Sequence, residues 1–124
     1  MPRAAPAPLA RVRKICLSLP ETTERLSHGA PSFFVREKIG FVNYVDNHHD
    51  DGVLALWCPC PSGMRDGLVK ASPEHYFVPP YVGFRGWIGV RLDRGLGWDD
   101  IERVIREAYL AVAPRKLAAE LESR

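Results

Sequence analysis

The stretch PSFFVREKIGFVNYVD, Pro31–Asp46, decides the fold class of this 124-residue chain. It contains two runs rich in aromatic and β-branched residues, PSFFVREK and GFVNYVD, which meet around Lys38 to Gly40. Two such runs separated by about two to four residues are typical of a β-hairpin. The stretch therefore predicts an antiparallel pair of strands at the centre of the fold.

The residues before this hairpin predict a helix and one more strand. Apolar residues recur there at helical spacing, at Leu9, Val12, Cys16 and Leu19. Pro20 ends this amphipathic helix because proline cannot continue a helical hydrogen-bond ladder. TTERLSHG, residues 22–29, then predicts a short strand that runs into a turn at its last two residues.

The residues after the hairpin predict three further strands. The polar segment at residues 46–52 is a turn, and VLALWC, residues 53–58, is a strand. Two extended runs follow, near Tyr76–Val78 and Trp87–Leu92. The predicted strands thus fall into two groups along the chain, one that ends at Cys58 and one that begins at Tyr76.

Two more helices complete the prediction. Ser62 is expected to cap the second helix, and Asp99, with Glu102 three residues later, is expected to cap a long third helix. The order is one helix, three or four strands, a helix, two strands and a helix. This order predicts an α+β fold, a two-layer sandwich whose antiparallel sheet carries the helices on one face. We expect a flexible N-terminus at residues 1–8 and a single domain at residues 9–124.

The sheet face without helices is where a binding site is expected. Strand alternation in WIGVRL places Trp87, Gly89 and Arg91 on this face, with Gly89 as a bare, flat floor of the kind found where another group approaches closely. The same alternation adds Arg36 and Trp57. In GFVNYVD it separates two sets, Val42 and Tyr44 on one face and Phe41, Asn43 and Val45 on the other.

The segment VPPYVGFRG, residues 78–86, joins the last two strands. Its two prolines stiffen the backbone, and its glycines permit turns. Tyr81, Phe84 and Arg85 project from this frame, and a rigid frame positions a charged side chain at low entropic cost. The loop is either a binding element of this kind or an apolar plug that closes one end of the sheet.

From about Leu9 to Leu117, the chain resembles the MmcQ/YjbR family. The most specific matching block is PPYVGFRGW, residues 79–87, and the others are RVRKICLSLPE, HGAPSFFVREKIGF, LALWC and WDDI. The resemblance implies a compact two-layer domain comparable to the frataxin-like CyaY fold. Family members are commonly labelled DNA-binding proteins. The resemblance implies no catalytic residues.

No catalytic site, metal site or cofactor is expected from the motifs. Neighbouring side chains of HHDD, residues 48–51, point apart on a turn, so the segment is interpreted as a solvated loop. The cysteines Cys16, Cys58 and Cys60 are interpreted as buried or half-buried thiols, because the CPC spacing differs from that of zinc pairs.

The location and assembly of the protein are also expected from composition. No segment approaches the roughly 20 apolar residues of a membrane-spanning helix. The first residues lack the apolar run of a signal peptide. We therefore expect a cytoplasmic protein with no membrane partner. A monomer or a weak homodimer is also expected.

The expected function is that of a small non-enzymatic binding domain, with DNA as the first candidate partner. The residues expected at its binding face are Arg36, Lys38, Trp57, Tyr81, Arg85, Trp87 and Arg91. In a DNA-binding domain the cations would contact phosphate, and Tyr81 and Trp87 would stack. In a protein-interaction or chaperone-like module, Trp57 and Trp87 would dominate. A small-ligand-binding protein is the remaining alternative, because the loop and the sheet could frame a pocket.

Overall fold

The computed structural model of the protein describes residues 7–124, which form four α-helices and one six-stranded sheet. The helices are α1 (Ala7–Leu17), α2 (Met64–Ala71), α3 (Trp98–Val112) and α4 (Arg115–Glu122). The strands are β1 (Thr22–Ser27), β2 (Ala30–Val35), β3 (Ile39–Asp46), β4 (Leu54–Cys58), β5 (Tyr76–Phe77) and β6 (Ile88–Arg91).

The strands lie in the order β1-β2-β3-β4-β6-β5, and every neighbouring pair is antiparallel. The first four strands form consecutive hairpins, which explains their sequential order. The predicted α+β sandwich is therefore confirmed. The flexible N-terminus expected at residues 1–8 falls mostly outside the described residues, and Ala7 and Pro8 belong to the first turn of α1. Within the described residues, no helix is both long and apolar enough to cross a membrane.

The main core lies between the helices and one face of the sheet, which we call the helix face. The buried stripe of α3 consists of Ile101, Val104, Ile105, Ala108 and Tyr109. The Tyr109 ring meets the Phe41 ring edge-on at a centroid distance of 5.6 Å. Its hydroxyl donates a hydrogen bond to the Pro20 carbonyl at 2.8 Å. These contacts fix α3 over β3.

The remaining helices are attached to the same face. Arg13 of α1 donates from Nε and Nη2 to both carboxylate oxygens of Glu24 on β1, at 2.6 and 2.8 Å. Leu68 and Val69 of α2 pack against the main core, and Leu117 of α4 is buried in it. Within the described residues, the second sheet face, which we call the open face, carries no α-helix.

A β-bulge changes the alternation predicted for β3. The register shifts between two successive pairs, from Phe33 opposite Val42 to Phe34 opposite Gly40. The extra residue, Phe41, therefore joins Val42 on the helix face, where both are fully buried. The prediction that Phe41 shares a face with Asn43 and Val45 is wrong, because a bulge inserts one residue into the period of two.

The hairpin between β2 and β3 turns earlier than predicted. Arg36 and Glu37 adopt positive φ angles of 51° and 61°, and the Lys38 N–H donates to the Val35 carbonyl at 3.1 Å. Two successive residues with positive φ match the right-handed twist of a hairpin. Arg36 thus lies in the turn, and its prediction as a strand residue on the open face is wrong.

The predicted helix caps are also displaced. α2 begins at Met64 after Gly63, and α3 begins at Trp98 after Gly97, without a side-chain capping hydrogen bond in either case. Ser62 precedes the cap position of α2. Asp99 lies inside the first turn of α3. There its carboxylate interacts favourably with the positive end of the helix dipole, but it does not cap the helix.

A candidate binding groove on the open sheet face

The open face carries a second, smaller apolar cluster, formed by Val45, Trp57 and Trp87 with Phe77 and Val82 packed against it. Trp57 is 8% exposed and Trp87 is 7% exposed. Strand alternation correctly places Trp57 on this face, whereas both indole rings are largely covered by the protein itself. The open face is thus partly covered by other parts of the protein and is not fully exposed to solvent.

Part of this cover comes from Phe77 on the edge strand β5. Phe77 pairs with Gly89 of β6, and its ring lies directly over the glycine. A Cβ atom added to Gly89 would overlap Cζ, Cε2 and Cε1 of that ring, the last at 2.6 Å. Glycine does mark a close approach here, but the approaching group is Phe77 and not a ligand. The prediction of a bare floor at Gly89 is therefore wrong.

The loop at residues 78–87 supplies the rest of the cover. Arg65 of α2 anchors it by donating from Nη1 to the carbonyls of Gly83 and Trp87, at 2.7 and 3.3 Å. Tyr81 has a positive φ of 65°, and the Val82 N–H donates to the Pro80 carbonyl at 2.7 Å. This hydrogen bond around a residue of positive φ is characteristic of a strained γ-turn. Such strain persists only where the surrounding structure enforces it.

A groove of about 560 Å³ remains between this loop and the turn that joins β1 to β2. Its apolar lining consists of Ala30, Val45, Trp57 and Val82. Its polar lining consists of Ser27, His28, Asn43, His48, His49 and Tyr81. We call this the open-face groove. Its volume lies in the range of small-ligand sites in proteins, roughly 300–1,000 Å³.

One wall of the groove is a cluster of aromatic rings around His48. The His48 ring centroid lies 5.1 Å from that of Trp57, 5.7 Å from that of Tyr81 and 4.1 Å from that of His49. Its Nε2 atom is buried and has no hydrogen-bond partner in the described part of the chain. The interpretation of HHDD as a solvated loop is therefore wrong for His48, which closes over Trp57.

The other polar side chains of the groove are equally unengaged. Within residues 7–124, the side chains of Ser27, His28 and Asn43 form no hydrogen bond with another part of the protein. Ser27 and Asn43 are half-buried and His28 is exposed, so their polar atoms are available to a molecule that occupies the groove. The groove thus offers donors and acceptors above an apolar floor.

The predicted site residues are only partly brought together. Trp57 and Tyr81 line the groove, and Trp87 lies in the cluster beneath the loop. Arg36 and Lys38 follow β2 at its far end, whereas the groove contacts its first residue, Ala30. The Arg36 Nε atom is 3.1 Å from Glu21 Oε1.

The other two predicted arginines differ in their partners. Arg91 donates from Nε and Nη2 to the two carboxylate oxygens of Asp93, at 3.0 and 3.2 Å. These hydrogen bonds hold the pKa of the Asp93 carboxyl below its usual range. The Arg85 guanidinium carbon lies 5.2 Å from the Trp87 ring centroid. Phe84, its neighbour at the loop tip, is 89% exposed.

Sequence reasoning missed Ser27, His28, Asn43 and His48 as groove residues. Asn43 and Ser27 alternate onto the open face, so their strand positions were the available signal. His28 and His48 sit in turns at the same end of the sheet, because β1–β2 and β3–β4 are antiparallel hairpins. Among the described residues, no group of three or more His, Cys, Asp or Glu side chains is placed to hold a metal ion.

Comparisons with known proteins support the fold and the family. The crystal structure of the Deinococcus radiodurans protein DR2400, which has a DUF419 domain, superposes with a TM-score of 0.74 at 19% identity, covering 92% of this chain and 87% of that one. At this identity the likeness shows the fold alone. A search of curated proteins found no match. The YjbR family model matches residues 17–111, and the chain therefore belongs to the YjbR family.

Proposed function

We propose that the protein is a non-enzymatic binding domain that holds a small organic ligand in the open-face groove. The observation that carries this proposal is the pairing of an apolar floor with polar side chains that have no protein partner in the described residues. Small-ligand sites are mostly apolar hollows with a few convergent polar groups. The open-face groove has this composition and a suitable volume of about 560 Å³.

The arrangement of the histidines supports binding rather than catalysis. A histidine general base is commonly oriented by a second group, as the carboxylate orients the imidazole in a catalytic triad. In the described part of the chain, His28, His48 and His49 form no hydrogen bond with a carboxylate. We accordingly assign them to ligand contact and not to proton transfer.

The state of the thiols supports a reducing compartment, the cytoplasm. Cys16, Cys58 and Cys60 are all free. Burial raises the pKa of the Cys16 and Cys58 thiols well above the ordinary value, so both remain protonated and unreactive. Proteins that keep several free thiols are typical of reducing compartments.

Filling the groove is expected to abolish ligand binding without unfolding the protein. Ala30 lines the groove at the first position of β2, and Ala30→Phe would place a ring where the ligand lies. Small aromatic fragments that bind the wild-type protein should shift the backbone amide resonances of Asn43, Val45 and Val82 in a ¹H–¹⁵N correlation spectrum. In the Ala30→Phe variant, these shifts should disappear or need at least about tenfold more ligand.

Thr23→Phe is the matched control for this experiment. Thr23 lies on the same sheet face as Ala30 but outside the groove lining. This variant should bind fragments as the wild type does. Fragments that bind Ala30→Phe unchanged, or that shift resonances only on the helix side of the sheet, would refute the groove as the binding site.

A second candidate function, duplex DNA binding, is favoured by the tip of the loop. Phe84 is almost fully exposed there, and Arg85 beside it makes no ion pair with another described residue. An exposed aromatic ring next to an arginine suits insertion into a groove of DNA with phosphate contact.

In this second candidate, Arg85→Ala should weaken binding to a labelled random duplex several-fold in fluorescence anisotropy. It should also reduce the slope of log affinity against log salt concentration by about one, since one phosphate contact is lost. Arg91→Ala serves as the control, because Asp93 already occupies the Arg91 guanidinium. Equal effects of the two substitutions, or no binding of the wild type at low salt, would argue against DNA. Binding that depends on Phe84 but not on salt would instead indicate a protein partner.

A further inference from the structure

We propose that the ligand of the open-face groove carries a planar, uncharged nitrogen-heteroaromatic ring, and that it is a free small molecule. This inference rests on the proposed function, since it names the chemical class of the ligand in the same groove. Three features of the lining carry it: the absence of fixed charge, the flat aromatic surfaces, and a polar edge that is rich in unpartnered donors and acceptors.

The charge of the lining argues for an uncharged ligand. Within residues 7–124, no Lys, Arg, Asp or Glu side chain lines the groove. A charged ligand group would lose its hydration there without gaining a counter-ion, which is costly in a half-enclosed site. An anionic group would also meet Asp46, which lines an adjoining hollow together with His28 and His48.

The shape of the lining argues for a planar ligand. The floor consists of side chains on neighbouring strands, including Val45 and Trp57, and therefore follows the flat surface of the sheet. The rings of Tyr81 and His48 stand along one side of it, at a centroid distance of 5.7 Å and an interplanar angle of 81°. A flat ring on this floor would stack on one surface and meet the other edge-on, the two geometries that aromatic pairs prefer.

The polar edge argues for ring nitrogens. The Asn43 amide presents a donor and an acceptor side by side, and neither is used by another described residue. An asparagine amide pairs with two adjacent positions on a heterocycle, one donor and one acceptor, as it does with the edge of adenine. The Ser27 hydroxyl adds a further group that a purely hydrocarbon ring would leave unsatisfied.

A pair of probes separates this ring class from simple apolar binding. Adenine and indole are fused bicyclic rings of similar size, and both are uncharged near neutral pH. Adenine has an adjacent donor and acceptor, whereas indole has a single N–H and is more apolar. A groove that only buries apolar surface prefers indole. We expect adenine to bind at least about tenfold more tightly than indole when amide shifts of Asn43, Val45 and Val82 are followed.

The variant Asn43→Leu tests the role of the amide. Leucine is similar in size and suits a strand, so the protein should keep its thermal unfolding transition. Adenine affinity should fall at least about tenfold, while indole affinity should stay the same or rise. Ser62→Ala, which removes an exposed polar group outside the groove, should change neither.

Each remaining outcome of the titrations has a defined meaning. If wild-type protein prefers indole, the groove remains a ligand site and the heteroaromatic inference is overturned. If neither probe binds, both that inference and the proposed function fail. If an oligoadenylate single strand binds far more tightly than adenine and is released by salt, the source of the ring is a nucleic acid, and the assignment to a free small molecule is overturned.

Discussion

The substitution Gly89→Ala is expected to lower the free energy of unfolding by about 3 kcal/mol, the upper end of the range for overpacked cores. The Cβ atom of alanine would overlap three carbons of the Phe77 ring. Gly89 itself is buried and forms ladder pairs with both Trp57 and Phe77, so its backbone has little room to move away. Urea unfolding followed by circular dichroism measures the loss.

Two further variants isolate the cause of this loss. Gly67→Ala is the control, since Gly67 lies in α2 with no atom within 4 Å of an added Cβ. It should stabilise the protein by about 0.5–1 kcal/mol, because alanine favours helix more than glycine does. The double variant Phe77→Ala/Gly89→Ala should be only slightly less stable than Phe77→Ala alone, because the overlap between the new Cβ atom and the ring is then removed. Additive losses in the double variant would show that the two side chains do not compete for space.

The elements that follow from local periodicity were predictable from the sequence. The α3 stripe at Ile101, Val104, Ile105 and Ala108 shows helical spacing and is buried as that spacing requires. β4 and β6 alternate cleanly, so Leu56 and Val90 face the helices and Trp57 faces away. In each case a single segment contains the whole signal.

The features that depend on contacts between segments were not predictable in this way. The bulge at Phe41 preserves a buried aromatic contact with Tyr109, which lies on a helix far along the chain. Gly89 correctly signals a close approach, but only the β5–β6 register identifies Phe77 as the approaching group. Periodicity within one strand contains no information about its neighbour.

The groove itself is the clearest example of this limit. Its side chains come from turns and strands that meet only after β1–β4 have paired and the loop has crossed the open face. His48 looks like a solvated turn residue when only its neighbours in sequence are considered. It becomes part of a wall because Trp57 and Tyr81 are brought against it.

Releasing the loop from α2 is expected to expose this wall. Arg65→Met removes the guanidinium that donates to the carbonyls of Gly83 and Trp87. Hydrogen bonds from charged donors contribute about 1.5–3 kcal/mol each, and Arg65 is partly exposed, so we expect a total loss of about 2 kcal/mol. Tryptophan fluorescence should shift to longer wavelength as water reaches Trp57 and Trp87, and ligand affinity should fall with the loss of the ordered Tyr81 wall.

Arg85→Met is the control for the Arg65→Met experiment. It makes the same chemical change on the loop itself, but Arg85 is exposed and stacks on Trp87 without holding a backbone carbonyl. We expect the free energy of unfolding to change by at most about 0.5 kcal/mol and the fluorescence to shift hardly at all, as for other surface positions.

Arg65→Lys should give an intermediate loss of stability, because one ammonium cannot reproduce the planar guanidinium geometry. If Arg65→Met leaves the fluorescence unchanged, the loop is held by Val82 and Phe77 packing alone, and the γ-turn at Tyr81 owes its strain to that packing rather than to the anchor from α2.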